Sequence, residues 1–152
     1  MTSKAETCYI ALLAKLQTVT GIGILNGAPN VSRRLTDPTH IPWDTCPAIM
    51  INQNGEEIIT TKGFEGVAAK QKLSCDLVLV MNMQNQEDAV SPILNEMVQN
   101  IRTALYPTQP DVSQTLNGIV SHCWISGKIV IIEGVLNNQG MAIIPVEMLT
   151  NI

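Results

Sequence analysis

Residues 72–83 read Lys-Leu-Ser-Cys-Asp-Leu-Val-Leu-Val-Met-Asn-Met. Leu73, Cys75, Leu77, Leu79, Met81 and Met83 alternate with Lys72, Ser74, Asp76, Val78, Val80 and Asn82. Successive side chains of a strand point to opposite faces, so twelve residues of period 2 specify a long strand. Within it Cys75 acts as a small hydrophobe. Downstream, Val90, Ile93, Leu94, Met97, Val98, Ile101 and Leu105 recur at helical spacing. Pro92 is compatible only with the first turn of that helix, with Asp88 or Ser91 as the cap. Tyr106-Pro107 closes it, because a residue before proline is driven out of the α region.

Working outward, Ala48–Gln53 and Glu56–Thr61 flank Asn54-Gly55, a pair that tolerates positive φ and predicts a two-residue hairpin turn. Upstream, 21–47 carries Pro29, Pro38, Pro42, Pro47 and the basic pair Arg33-Arg34 but no sustained periodicity. Connections this long in a compact domain tend to be arms or lids. Val31–Leu35 could form a short strand inside it. Ser3 and Glu6 have the capping-box spacing, followed by Tyr9, Leu12, Leu13 and Leu16 on one helical stripe, with Gly21 as the stop. At the other end, 119–125, 128–136 and 141–149 read as strands, divided at Ser126-Gly127 and at 137–140. The order predicts one α+β domain over 1–152: a mixed, largely antiparallel β-sheet, two main helices packed on one face, and a long extended arm over about 26–47. A second loop spans about 62–72.

Of the 152 residues only 14% are charged, against about 25% in an ordinary soluble domain. Apolar content is ordinary at 45%, and 21 Asn plus Gln and 20 Ser plus Thr fill the gap. Disorder would require low hydrophobicity with high net charge, and a spanning helix about 20 consecutive apolar residues; neither pattern is present. A net charge of −4 argues against general affinity for nucleic acid or anionic lipid. The start lacks a basic region followed by an apolar stretch, so no export is expected. Cys8, Cys46, Cys75 and Cys123 then stay reduced.

The last strands are apolar on both faces: Ile129, Ile131 and Val135 oppose Val130, Ile132 and Leu136, and Ala142, Ile144, Val146 and Met148 oppose Met141, Ile143 and Leu149. Two helices cannot cover both sides of such a sheet. The surplus predicts contact with another subunit, or a cover supplied by the 21–47 arm. Pro145 suits an edge or a bulge.

No catalytic, cofactor or metal-binding residues stand out. The only local nucleophile grouping is His40, Asp44 and Cys46, without a nucleophile motif around the cysteine. His122 and Cys123 on a strand would point to opposite faces, so they cannot share one zinc. Gly21-Ile-Gly23 and Gly63–Gly66 lack the context of a phosphate loop. Glu56-Glu57 falls at the hairpin tip and Glu87-Asp88 at a helix start. Lys62, Lys70 and Lys72, with Arg33 and Arg34, hold five of the nine positive charges. They form either a solvated loop surface or arms that dock on an acidic neighbour or on DNA phosphates.

A short amphipathic N-terminal helix, a long Pro-containing arm with a basic pair leading to Cys46-Pro47-Ala48-Ile49-Met50-Ile51, a hairpin, a long strand, a helix ending Arg102-Thr-Ala-Leu105, a Leu116-Asn-Gly118 turn and closing strands together make a familiar layout. It resembles the tail terminator (tail completion) proteins of long-tailed bacteriophages. The resemblance lies in order and length over almost the whole chain. It implies a non-enzymatic virion protein of the tail or neck, assembled in the host cytoplasm. A hexameric homo-oligomeric ring would cap the tail tube protein, end its polymerisation and offer a surface to the head completion or connector protein. DNA would pass through the lumen without being read, and no membrane is involved. The interface residues expected are Arg33, Arg34, Trp43, Lys62, Lys70 and Lys72. Two alternatives stand beside this reading, another ring of the head–tail connector and a small hydrolytic enzyme using His40, Asp44 and Cys46.

Overall fold

The computed structural model describes residues 1–59, 69–85, 89–106, 112–133 and 139–152. The period-2 run forms β5, Lys70–Asn82. It pairs antiparallel on one side with β4, Ala48–Ile58, and on the other with β8, Gln139–Asn151. Along the far side of β8 lie β6, His122–Ile125, and β7, Val130–Glu133, both antiparallel to it. A two-residue strand, β3 (Val31–Ser32), adds in parallel to the outer side of β4 at Ile49 and Met50. The fold is α+β with a mixed, largely antiparallel sheet, as the order of elements implied.

Helices α1, Lys4–Leu16, and α2, Ser91–Leu105, bury one face of this sheet. The apolar positions of β5 fall on that face: Leu73, Leu77 and Leu79 are fully buried beside Ile144 and Met148 of β8. From α2, Leu94, Met97, Ile101 and Leu105 enter the same core, and from α1 Cys8, Tyr9, Leu12 and Leu16. The helical stripe read from the sequence is this contact. Ser3 caps α1 as its spacing predicts, its Oγ accepting from the Glu6 N–H at 3.1 Å. Glu6 does not reach back to complete the box; its carboxylate pairs with Arg33 instead. α1 stops at Leu16, ahead of Gly21.

At α2 the cap position is Val90, with no side-chain cap bond; Asp88 lies outside the described residues. The first turn of α2 rests directly on β8. A Cβ added at Gly140 would come within 2.6 Å of Val90 Cγ1 and 2.7 Å of Leu94 Cδ1. Glycine is what allows helix and strand to approach this closely.

The predicted hairpin at Asn54-Gly55 is not formed. β4 runs straight through the pair, and its register against β5 slips once, Gln53 facing Cys75 and Gly55 facing Ser74. Asn54 is the extra residue of a β-bulge. Glu56 and Glu57 accordingly lie within a strand rather than at a hairpin tip, and Glu57 sits opposite Lys72. The break expected at Ser126-Gly127 is present, as a bulged gap that divides β6 from β7. Four residues, 126–129, face Ile144 and Pro145 between the β6 and β7 pairings. Ser126 N–H donates to Pro145 O at 2.9 Å, so the missing proline donor points into the bulge, where no ladder bond is lost.

Candidate functional site

The 21–47 connection, expected to extend from the body, folds back onto it. Ile24–Leu25 (β1) and Ala28–Pro29 (β2) form a small hairpin with Asn26 and Gly27 at positive φ. Gly23 N–H donates to Pro47 O at 2.8 Å, and Asn30 Nδ2 donates to Thr45 O at 2.9 Å. Two short 3-10 turns, Pro38–His40 and Trp43–Thr45, then lead through a cis Cys46–Pro47 peptide into β4. The turns are held against β5 by Asn82, whose Nδ2 donates to Pro38 O and Ile41 O at 3.0 and 2.6 Å.

The six expected interface residues separate into different settings. Arg33 lies 5.2 Å above the Tyr9 ring and pairs with Glu6, which lowers the Glu6 pKa and raises that of Arg33. It clamps the arm to α1. Lys72 is tied within the sheet, 3.0 Å from Glu57 and 3.6 Å from Glu147, and the Glu57 hydrogen bond is the main cause of its raised pKa. Arg34 and Trp43 are exposed, the tryptophan by half. Lys70 is half-buried at the start of β5, opposite Asn151. Lys62 lies outside the described residues.

The sheet face turned away from the helices divides in two. Reading across paired strands, Met50, Val78, Ile143 and Val130 make one row, and Ala48, Val80, Met141 and Ile132 the next. Toward the other end, Asn52, Asp76, Ser74, Glu147, Lys72 and Glu57 occupy the same face, bordered by the stacked rings of His122 and Trp124, 5.0 Å apart. One half is apolar and the other polar. Both covers envisaged from the sequence are relevant to the apolar half. Ile41 of the arm packs on Ala48, Met50 and Val80 at the β4–β5 corner. Half-buried Val78 and Met141 pack against the same cluster, while Val130 and Ile132 of β7 remain 39% and 43% exposed on this face, and Ile131, on the helix side, 39%.

These β7 side chains belong to the two-faced apolar surplus from which the sequence predicts a subunit contact, but they are not among the six residues named as interface. Charge had drawn attention to the arms, whereas contact surfaces are distinguished by depletion of charge at their centre.

Beside the arm a cavity of about 270 Å³ is lined by Leu25, Asn30, Arg34, His40, Ile41 and Met50, among others. Cys46 does not line it. Its thiol donates to Pro42 O at 3.5 Å, and burial pushes its pKa up, away from the thiolate that a nucleophile requires. Among the described residues no group of three His, Cys, Asp or Glu could hold a metal ion, and no helix is long and apolar enough to cross a membrane. Compared with known proteins, the sequence matches no protein family and no curated protein.

Proposed function

We propose that this chain is a structural subunit of a homo-oligomeric ring, of the kind that caps a phage tail tube, ends its growth and joins it to the head. The observation that carries the proposal is the sheet itself. It buries one face under its own helices and presents on the other an apolar half-face that its own arm covers over β4 and β5 but not at β7, an exposed apolar edge strand. Isolated domains seldom leave such surface to water, while subunits of obligate assemblies do. The resemblance in layout to tail terminators supplies the particular role. Arg34 and Trp43, exposed on the arm, are the groups placed to reach a tube subunit or a connector. Against the hydrolytic alternative stands the raised Cys46 thiol.

The test is polymerisation of purified tail tube protein with and without this chain, followed by negative-stain imaging. A ring at one tube end and shortened, uniform tubes are the expected result. Unchanged tube lengths with no bound ring would overturn the tube-capping role. A ring seen only on head portals would move the protein to the connector.

A further inference from the structure

Among the described residues, two of the unpaired stretches along the sheet's edges lie at opposite ends. No strand pairs with the outer side of β7, and none with β4 beyond Met50. An apolar edge strand without lysine or proline invites another chain to pair with it. Val130, Ile131 and Ile132 are such an edge. Backbone groups alternate in direction along a strand. Since Pro145 O points toward β6, Ile143 and Met141 face β7, which leaves the N–H and C=O of Ile131 and Glu133 pointing outward. At the other end, Ile49 N–H donates outward to Asn30 O, so Gln53, four residues on, is also directed outward. That edge is recessed. Two notches of about 340 and 230 Å³ run along it, the first lined by Arg33, Leu35 and Ile51 to Gln53, the second by Tyr9 and residues 53–56.

We propose that β7 of one copy enters this recess on the next, pairing antiparallel with β4 and joining the subunit sheets edge to edge. The inference rests on the ring reading and names its contact. Strand direction favours it. β4 and β8 run one way, β5 and β7 the other, so repeating the subunit about an axis that preserves strand polarity sets β7 antiparallel to the neighbouring β4. The same operation keeps the helix layers on one side. The charges agree: Lys128, ahead of β7, is brought to the Glu56-Glu57 end of the recess, and Glu133 to the end lined by Arg33. Two different edges meet, so the contact is heterologous, the type that closes rings rather than stopping at a dimer.

Two experiments on the full chain test it. In a Cys46→Ser background, mild oxidation of an Asn52→Cys, Ile132→Cys double variant should give a ladder of crosslinked species, and a mixture of the two single variants should give dimers. Both positions lie on the face away from the helices. Crosslinking of Ile132→Cys to itself would show β7 paired with β7 and overturn the proposal. Separately, Ile131→Pro removes an outward N–H that β8 does not use. By native mass spectrometry, the wild-type oligomer should be lost to a 16.5 kDa monomer while circular dichroism is unchanged. An oligomer that persists in Ile131→Pro and forms no 52–132 crosslink overturns this contact and leaves the ring reading intact. A wild-type chain monomeric at every concentration, alone and with tubes, and free of crosslinks overturns both.

Discussion

Individual residues decide how the arm is fixed to the sheet. A Cβ at Gly23 would lie 2.1 Å from Thr45 O, a backbone atom that cannot swing away, whereas the neighbours at Gly140 are the methyl groups of Val90 and Leu94. Gly23→Ala should therefore cost about 3 kcal/mol in urea unfolding and Gly140→Ala about 1–2 kcal/mol, the usual span for overpacking. An equal cost for the two would show that the arm gives as readily as a side chain. The basic pair divides in the same manner. Arg33→Glu sets a carboxylate against Glu6 and removes the cation from the Tyr9 ring, so its denaturation midpoint should fall. Arg34→Glu, exposed and outside that clamp, should leave the midpoint in place and reduce tube binding. Treating Arg33-Arg34 as one interface patch, as the sequence suggested, overlooks the partner that Arg33 finds on α1.

At the level of elements, what could be read ahead of the structure follows from how local each signal is. Both helices and β5 were legible because a single face repeats over two or more turns or twelve residues, and one buried face suffices to define it. The Asn54-Gly55 pair misled because the dipeptide permits a tight turn without requiring one. A bulge also accepts it, and only the long-range pairing of Gln53 with Cys75 and of Ile58 with Gln71 decides between them. Deleting Asn54 distinguishes the two readings in solution. In a hairpin it would destroy the turn, whereas in a bulge it removes the one unpaired residue and keeps both halves of β4 facing as before. The deletion variant should fold with a stability change of about 1 kcal/mol or less. Loss of the fold would argue for a turn. The surplus apolar surface was legible as an excess of apolar residues in 128–149. Which part the chain covers for itself was not, because that depends on Ile41 meeting Ala48, Met50 and Val80 across the fold.

For the molecule as a whole, the titrating groups define a window of stability. Burial pushes the thiols of Cys75 and Cys123 up to about 12 from an ordinary 9.0. In the unfolded chain they ionise first, so the advantage of the folded state is complete below pH 9 and is lost as pH rises toward 12. The slope is up to about 1.4 kcal/mol per pH unit for each thiol. At the acid end Glu6 and Asp37 have depressed pKa values, Glu6 through Arg33 and Asp37 through Thr39. Their contribution is present above their ordinary values of 4.5 and 3.8 and is lost as pH falls through the folded ones. Urea midpoints should thus be flat from about pH 5 to 9 and decline on both sides. A midpoint that keeps rising above pH 9 would mean the thiols are not buried as described. The order of the strands has a further consequence, for synthesis. β8 follows β5, β6 and β7 in the chain yet stands between β5 and the other two. At 5–20 residues per second, β5 leaves the ribosome on the order of ten seconds before the strand that must lie beside it. During that interval Leu73, Leu77 and Leu79 lack one wall of their core, and β6 and β7 lack a partner altogether. Any pairing with a second copy would have to wait until β8 has emerged and the sheet is complete.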